Sequence, residues 1–402
     1  MTRLALGLHW DLQPDLAFLN HGSFGLAPRE LLAWRSALLQ EIEQDPVGFV
    51  LDAYPTRLAE ARAVLADLLH TQPAQLAFVP STTYGLNELF QSLQGCLPQG
   101  SEILLSNHGY NATTNLVAHA AAQRGWTLRR VVLPLPVDDP QQVVDAFQRA
   151  CTPATRLLLV DHITSPTALV LPVAELVQLA RDRGAWIVVD GAHGPGSVGL
   201  NLDSLQPDAY VGNLHKWLCC PRGSAFLWAQ GQVLQQLRPL VISHGANAPP
   251  DPAVSRFHQE HDWIGTADPS PWLALPEALR LLTRAAPPPE AGAAAALEGL
   301  MRANHRTNQW AQGQLLAATG SRPIAPPAMQ AAMCALPLRG CSRAAAPECQ
   351  RQLRRAGIQV PLIPLNAEDE QVPVLLRVSS FAYNTPADVE RLIEALPVEA
   401  CV

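Results

Sequence analysis

The chain has almost no lysine: its 28 basic residues are nearly all arginine. Charge of either sign is sparse, at 16% of 402 residues, and the balance is a net charge of −7 with a pI near 5.9. That sign argues against nucleic acid or an anionic membrane as the main partner. No apolar run approaches the roughly 18 residues of a membrane span. The opening MTRLALGLHWDLQPD carries one Arg and too short an apolar stretch for a secretory signal. A cytoplasmic protein is expected. Paired cysteines are also missing: those at 96, 151, 219, 220, 334, 341, 349 and 401 form no CxxC motif and have no histidines at metal-ligand spacing. A disulfide scaffold and a metal site are both unsupported, and the adjacent Cys219 and Cys220 are read as packing residues.

What is present centres on Trp186 to Trp228. Ala185 to Val189 is a short apolar run of the kind that forms a buried parallel strand, and it ends on Asp190, followed by Gly191-Ala192-His193-Gly194. A second run, Ala209 to Gly212, leads into Asn213-Leu214-His215-Lys216-Trp217, and a third, Gly223 to Trp228, follows a Pro-Arg-Gly turn. An acid thus closes one strand and a lysine follows the next. A lysine can form an imine with an aldehyde cofactor, and a carboxylate can keep the ring nitrogen of pyridoxal phosphate protonated. The rival reading is dinucleotide binding, since Gly194 to Gly199 satisfies G-x-G-x-x-G after a strand. That motif needs a helix starting within it. Pro195 interrupts it, Asn201, Asp203 and Pro207 oppose a long helix after it, and no acid follows about twenty residues on. The motif is read as a decoy.

Asp190-Gly191-Ala192-His193, Asn213-Leu214-His215-Lys216-Trp217 and Gly223-Ser224-Ala225-Phe226-Leu227 together resemble the class V pyridoxal-phosphate enzymes. The similar branch is the isopenicillin N epimerase-like one, related to the cysteine desulfurases. Strands and helices alternate across residues 76–230, which predicts a doubly wound α/β domain with its site at strand carboxyl ends. The resemblance implies fold type I: a large, mostly parallel-sheet domain over residues 21–270, and a smaller α+β domain from 1–20 and 271–402.

Several segments carry that resemblance further. The LNHGSFG turn, with Ser23 its main polar group, would line the substrate pocket, and Pro28 opens a helix over Arg29–Gln44. A strand at Leu76–Val79 leads through Pro80 to Gly85 into a helix expected at Leu86–Leu93. The family's phosphate site falls on Thr82 and Thr83, where hydroxyls and free N–H groups meet a helix start. After the strand Glu102–Leu105, Tyr110 is chosen over His108 as the ring that stacks on the cofactor. Arg156 to Val160 is a strand followed by Asp161-His162-Ile163-Thr164-Ser165; Thr164 or Ser165, with Ser165 preferred, would lie near the cofactor's ring oxygen. His193 would bond near that oxygen, and Asn213 and His215 would help hold the cofactor.

His258, His261, Asp251 and Asp262 have no coherent ligand spacing. Trp263 to Ser270 instead matches the branch's W-x-G-T-x-D-P-S pattern, which implies a homodimer in which Thr266 reaches the neighbouring cofactor. Residues 285–300 read as a loop and helix start. Strands are expected at Ala331–Leu338 and Leu375–Ser379, and helices at Trp272–Arg284, Glu348–Ala356 and Pro386–Leu396. Arg377 lies in RVSSFAYNTPADVERL, similar to a family signature, and its guanidinium fork suits a substrate carboxylate.

The implied activity begins with an aldimine between Lys216 and pyridoxal phosphate, with Asp190 on the ring nitrogen and Arg377 on the carboxylate of an amino-acid substrate. Freed Lys216 becomes the base at Cα. Epimerisation, racemisation or transamination is the leading expectation. A C–S lyase without a catalytic cysteine is the alternative, because residues 357–376 contain no cysteine to form a persulfide. A non-catalytic protein that binds pyridoxal phosphate is the reading from a different class.

Overall fold

The fold follows from apolar segments too short to be helices and too evenly apolar to have a wet face. Leu157, Leu158, Leu159 and Val160 are all buried, with Leu157 and Leu159 in one core layer and Leu158 and Val160 in the other. That is the period-two signature of a strand covered on both faces. The computed structural model describes residues 7–285, 293–338, 340–365 and 374–396. Its strands in chain order are β1 (Ala17–Phe18), β2 (Leu76–Val79), β3 (Glu102–Ser106), β4 (Thr127–Val131), β5 (Thr155–Asp161), β6 (Trp186–Gly191), β7 (Ala209–Asn213), β8 (Ala225–Ala229), β9 (Met333–Pro337), β10 (Ile358–Gln359), β11 (Leu362–Pro364) and β12 (Val374–Ser379).

Seven of them form one sheet in the order β2-β8-β7-β6-β5-β3-β4. It is parallel from β7 through β4, while β8 runs antiparallel to both of its neighbours. The chain steps outward from β3 to β4, returns across β3 to β5, then advances the other way through β6 and β7. Strand order therefore reverses between β3 and β5, and the carboxyl ends there open a crevice. Helices at Thr82–Leu93, Asn111–Arg124, Pro140–Ala150 and Val173–Asp182 connect these strands. No helix starts within Gly194 to Gly199, where Gly196 (φ +76°) brings its backbone so close to that of Trp217 that a Cβ would lie 2.9 Å from the Trp217 carbonyl. Gly196 serves close packing on the lysine turn, and Gly194 leaves room for the Tyr210 hydroxyl.

A second sheet, β11-β12-β9, is antiparallel, and β1 pairs with β10 alongside a bridge from Asn20 to Ser379. A third core layer joins Leu19, Leu315, Leu336, Leu376 and Leu392. A 27-residue helix, Ala293–Thr319, packs against β9 and against the closing helix Pro386–Ala395. The sequence suggested only its start, and the loop part of that expectation, 286–292, lies outside the described residues. The helix expected at Trp272–Arg284 is two pieces, Ser270–Leu273 and Leu275–Ala285.

Candidate active site

At the carboxyl ends of β5, β6 and β7 lies a cavity of about 310 Å³. One end is built by the turn after β2. Ser81 caps the helix there by accepting from the Tyr84 amide at 3.1 Å, so the helix begins at Thr82, four residues before the expected Leu86. With the Tyr84 amide taken by the cap, the Thr83 amide is left as a free donor of the first turn. The Thr82 amide donates to Asn213 Oδ1 at 3.0 Å, which turns the Asn213 NH₂ end away from Thr82. The Thr82 hydroxyl is buried without a partner. His215 adds a ring whose Nδ1 donates to the Ser224 carbonyl at 2.9 Å, which leaves Nε2 as the lone-pair atom; burial pushes its pKa down to about 4. Amides, hydroxyls and a helix N-terminus here form an anion cradle.

Asp190, buried near the end of β6, forms the floor. Its Oδ2 accepts from the Thr113 hydroxyl at 2.9 Å and its Oδ1 from the Ala192 amide at 3.1 Å. Burial raises its pKa, against the pull of those two donors and of Lys216. Asp161, in register with it on β5, lines the same cavity.

Lys216 is the only lysine in the chain. Its Nζ lies 3.2 Å from His193 Nε2, and His193 Nδ1 is buried without a partner. Burial first, then Arg377, brings the ammonium pKa down to about 7, with Asp190 opposing. The free amine fraction therefore rises with pH through about 7. Capture of an aldehyde by the cofactor-free protein should accelerate about tenfold per pH unit below that point and level off above it, as a stopped-flow series would record. Between about 7 and 10.5 the folded chain holds fewer protons at this site than the unfolded chain, so Lys216 makes stability rise with pH across that window.

The lysine's backbone is clamped by the N-terminal turn. The Lys216 carbonyl accepts from His21 Nε2 at 3.0 Å, and the other ring nitrogen of His21 takes the Tyr383 hydroxyl at 2.9 Å. The ring stacks on Phe381 with centroids 4.1 Å apart. Gly25 (φ +61°) lies so near that a Cβ would stand 1.9 Å from the His215 carbonyl oxygen. Gly25→Ala should cost on the order of 1–3 kcal/mol and loosen the lysine turn, measured as a lower melting temperature with faster cofactor loss.

Arg377, in β12, is buried, and its partners are all neutral. Nη1 donates to the Ser165 carbonyl at 2.7 Å and to the Ser165 hydroxyl at 3.1 Å. Nη2 donates to Ser23 Oγ at 2.6 Å and Asn20 Oδ1 at 3.3 Å, while Ser23 donates in turn to Asn20. Nε has no partner. Burial pulls its pKa down to about 10. A guanidinium buried among neutral groups lacks an anion.

The cavity wall thus includes Ser23, Thr82, Thr83, Tyr110, Ser165, Asp190, His193, Asn213, His215, Lys216 and Arg377. Thr266 is exposed and is not part of that wall. His108 is buried away from it, bonded to Thr167 at 3.1 Å, whereas Tyr110 is half-exposed on it. Ser165 spends both oxygens on Arg377. The sequence reading missed Asn20, Ser81, Thr113 and Asp161; only Ser81, as a Ser-Thr-Thr cap after a strand, left a local signal. The polar groups of the 251–268 stretch are engaged structurally: His261 bonds Glu88 at 3.0 Å, His258 the Leu76 carbonyl at 3.0 Å, and Asp262 pairs with Arg62.

Residues 52–392 match the family model described as Aminotransferase class-V. The isopenicillin N epimerase of Streptomyces clavuligerus is 33% identical over 96% of this chain and 95% of its own. That of Amycolatopsis lactamdurans is 34% identical over 96% of each. A probable chloroplastic L-cysteine desulfhydrase of Arabidopsis thaliana is 27% identical over 95% of this chain and 82% of its own. Among solved structures, the cystine C–S lyase C-DES in complex with its product cysteine persulfide superposes with a TM-score of 0.79, at 22% identity, over 95% of this chain and 97% of that one. The Escherichia coli cysteine desulfurase CsdA gives 0.78 at 21% identity, over 96% and 95%. At those identities the two structures speak to the fold, which is the fold-type I arrangement.

Proposed function

The chain belongs to the class-V aminotransferases, a family of pyridoxal-phosphate enzymes, and from that premise we propose that it acts at Cα of an amino-acid substrate, as an epimerase, racemase or aminotransferase. The observation that carries this is one cavity that gathers the only lysine, a buried carboxylate and an arginine without an anion. The residues present suit the cofactor. The capped start of the Thr82 helix and the unpartnered Thr82 hydroxyl offer donors to a phosphate, with Thr83, Asn213 and His215 around them. Asp190 offers an acceptor to a protonated ring nitrogen. His193, with its unpartnered Nδ1, offers a bond to a ring oxygen, and Tyr110 a flat face. Pyridoxal phosphate, when bound, supplies an aldehyde for Lys216 and an electron sink for charge developing at Cα.

The rest is the work of this chain. Arg377, pre-aimed by Asn20, Ser23 and Ser165, takes the substrate carboxylate in its fork. In this reading Ser165 orients Arg377 instead of approaching the ring oxygen. Lys216 holds or gives up a proton at Cα, and its pKa of about 7 lets it do either near neutrality. The W-x-G-T stretch supports a homodimer in which exposed Thr266 serves the neighbouring site. The separate β11-β12-β9 sheet with its own core supports a division into a large domain over 21–270 and a small one from 1–20 and 271–402. Free cysteines throughout the described residues favour a reducing, cytoplasmic setting; no described helix is long and apolar enough to cross a membrane.

A second reading, β-elimination by a C–S lyase, is supported by the desulfhydrase relatives. Among the described residues no cysteine lies on the cavity wall, which disfavours a persulfide on the protein. The test incubates the holoenzyme with a panel of amino acids in deuterated water and measures Cα exchange with inversion, keto-acid and sulfide. Inversion or keto-acid without sulfide supports the first reading, and sulfide the second. No exchange with any amino acid removes both.

A further inference from the structure

Among the described residues, Asp161 is the one carboxyl on the cavity wall without a role in the proposed activity. It closes β5, in register with Asp190 on β6. Parallel neighbours stand about 4.8 Å apart and in-register side chains leave the sheet on the same face, so the two carboxyls stand side by side. Each residue is only 4% exposed. Two anions buried that closely cannot both be ionised, and one proton belongs to the pair.

The surroundings decide which acid holds it. Asp190 receives the Thr113 hydroxyl and the Ala192 amide, and feels Lys216. Asp161 has only backbone amides, its own and that of Tyr110, and burial with the charge of Asp190 pushes its pKa well above the usual carboxylate range. The other titratable neighbours supply no cation. His162, bonded to the Tyr210 hydroxyl at 3.0 Å, is brought to about 4 by burial, His193 is pushed far down, and Tyr210 far up. Among the described residues that leaves Lys216 as the cationic group facing the pair, itself under the influence of Arg377.

We propose that Asp161 is a neutral, proton-holding partner of Asp190, a positioning residue that fixes the floor of the site at one negative charge and so leaves Lys216 free to shed its proton. This rests on the roles given above to Asp190 and Lys216. A second ionised carboxylate would hold the lysine as an ammonium across the pH range in which it must act as an amine.

Two readouts on the full-length protein test it. Infrared spectra of the cofactor-free protein, titrated with pH, should contain a protonated carboxyl that persists above pH 7 and is lost in Asp161→Asn. In Asp190→Asn the same carboxyl should lose its proton roughly a unit or more lower in pH, since the like charge is gone. Separately, the pH midpoint for capture of added pyridoxal phosphate, followed by its absorption, should stay in place in Asp161→Asn. It should fall by roughly a unit in Asp190→Asn over the pH range where Asp161 still holds its proton and no anion remains. A wild-type spectrum without such a carboxyl, or a midpoint that falls by about a unit in Asp161→Asn, would mean that Asp161 is charged and would overturn the proposal. Failure of the wild type to capture the cofactor at any pH would count against the cofactor reading, while the infrared result would still decide the carboxyl pair.

Discussion

Lys216→Ala should reduce Cα hydrogen exchange by about 10⁴-fold or more, with the loss in kcat. General acid–base assistance alone accounts for about 10²–10⁴, and the lysine's covalent hold on the cofactor adds to it. No second lysine can take its place, and His193, 3.2 Å from the Lys216 amine, is made a weak base by burial, which pushes its pKa well below the ordinary imidazole value. The capped Thr82 helix should still retain the phosphate, so the variant binds pyridoxal phosphate more weakly without losing it. Equilibrium dialysis, together with deuterium exchange by mass spectrometry, separates the two effects. A variant within tenfold of the wild type in exchange would show that another base does the work.

Arg377→Leu should lower kcat/KM for amino acids by about 10²–10³-fold, the size expected when one partner of a buried, hydrogen-bonded charge pair is truncated. Ser23 and Ser165 would still line the pocket, with Asn20 behind them, but without a cation to aim. Arg377→Lys should fall between, because a point charge keeps the attraction and loses the two-pronged geometry. An amine that lacks the α-carboxylate provides the internal control: it should react equally slowly with wild type and both variants. An equal loss on that amine would mean that Arg377 acts by holding the sheet together instead of by binding carboxylate.

The parts of the site legible in the sequence are those whose chemistry is set locally. Asp190 ends an apolar run, Lys216 follows the next, and Ser81-Thr82-Thr83 sits between a strand and a helix, so type and place coincide within a few residues. Asp161, Thr113 and Asn20 gain their meaning only from tertiary register. Asp161 matters because β5 and β6 pair at that rung, Thr113 because its helix start reaches Asp190, and Asn20 because β12 carries Arg377 beneath the N-terminal turn. Composition marks none of these. The 27-residue helix escaped for a different reason. Its buried face includes Asn304, Asn308 and Gln312, so the apolar stripe that betrays most surface helices is broken. Strands of two or three residues such as β1, β10 and β11 are too short to show any period.

Everything proposed for the site depends on Lys216 carrying the cofactor. The most direct test is to load the protein with pyridoxal phosphate, reduce it with borohydride, digest it and map the pyridoxyl group by mass spectrometry. With one lysine in the chain the answer is unambiguous. An absorption band near the visible edge should appear and be removed by reduction, with the added mass on the peptide containing Lys216 and none in Lys216→Ala. A protein that gives no band and no labelled peptide with saturating cofactor would contradict that role of Lys216.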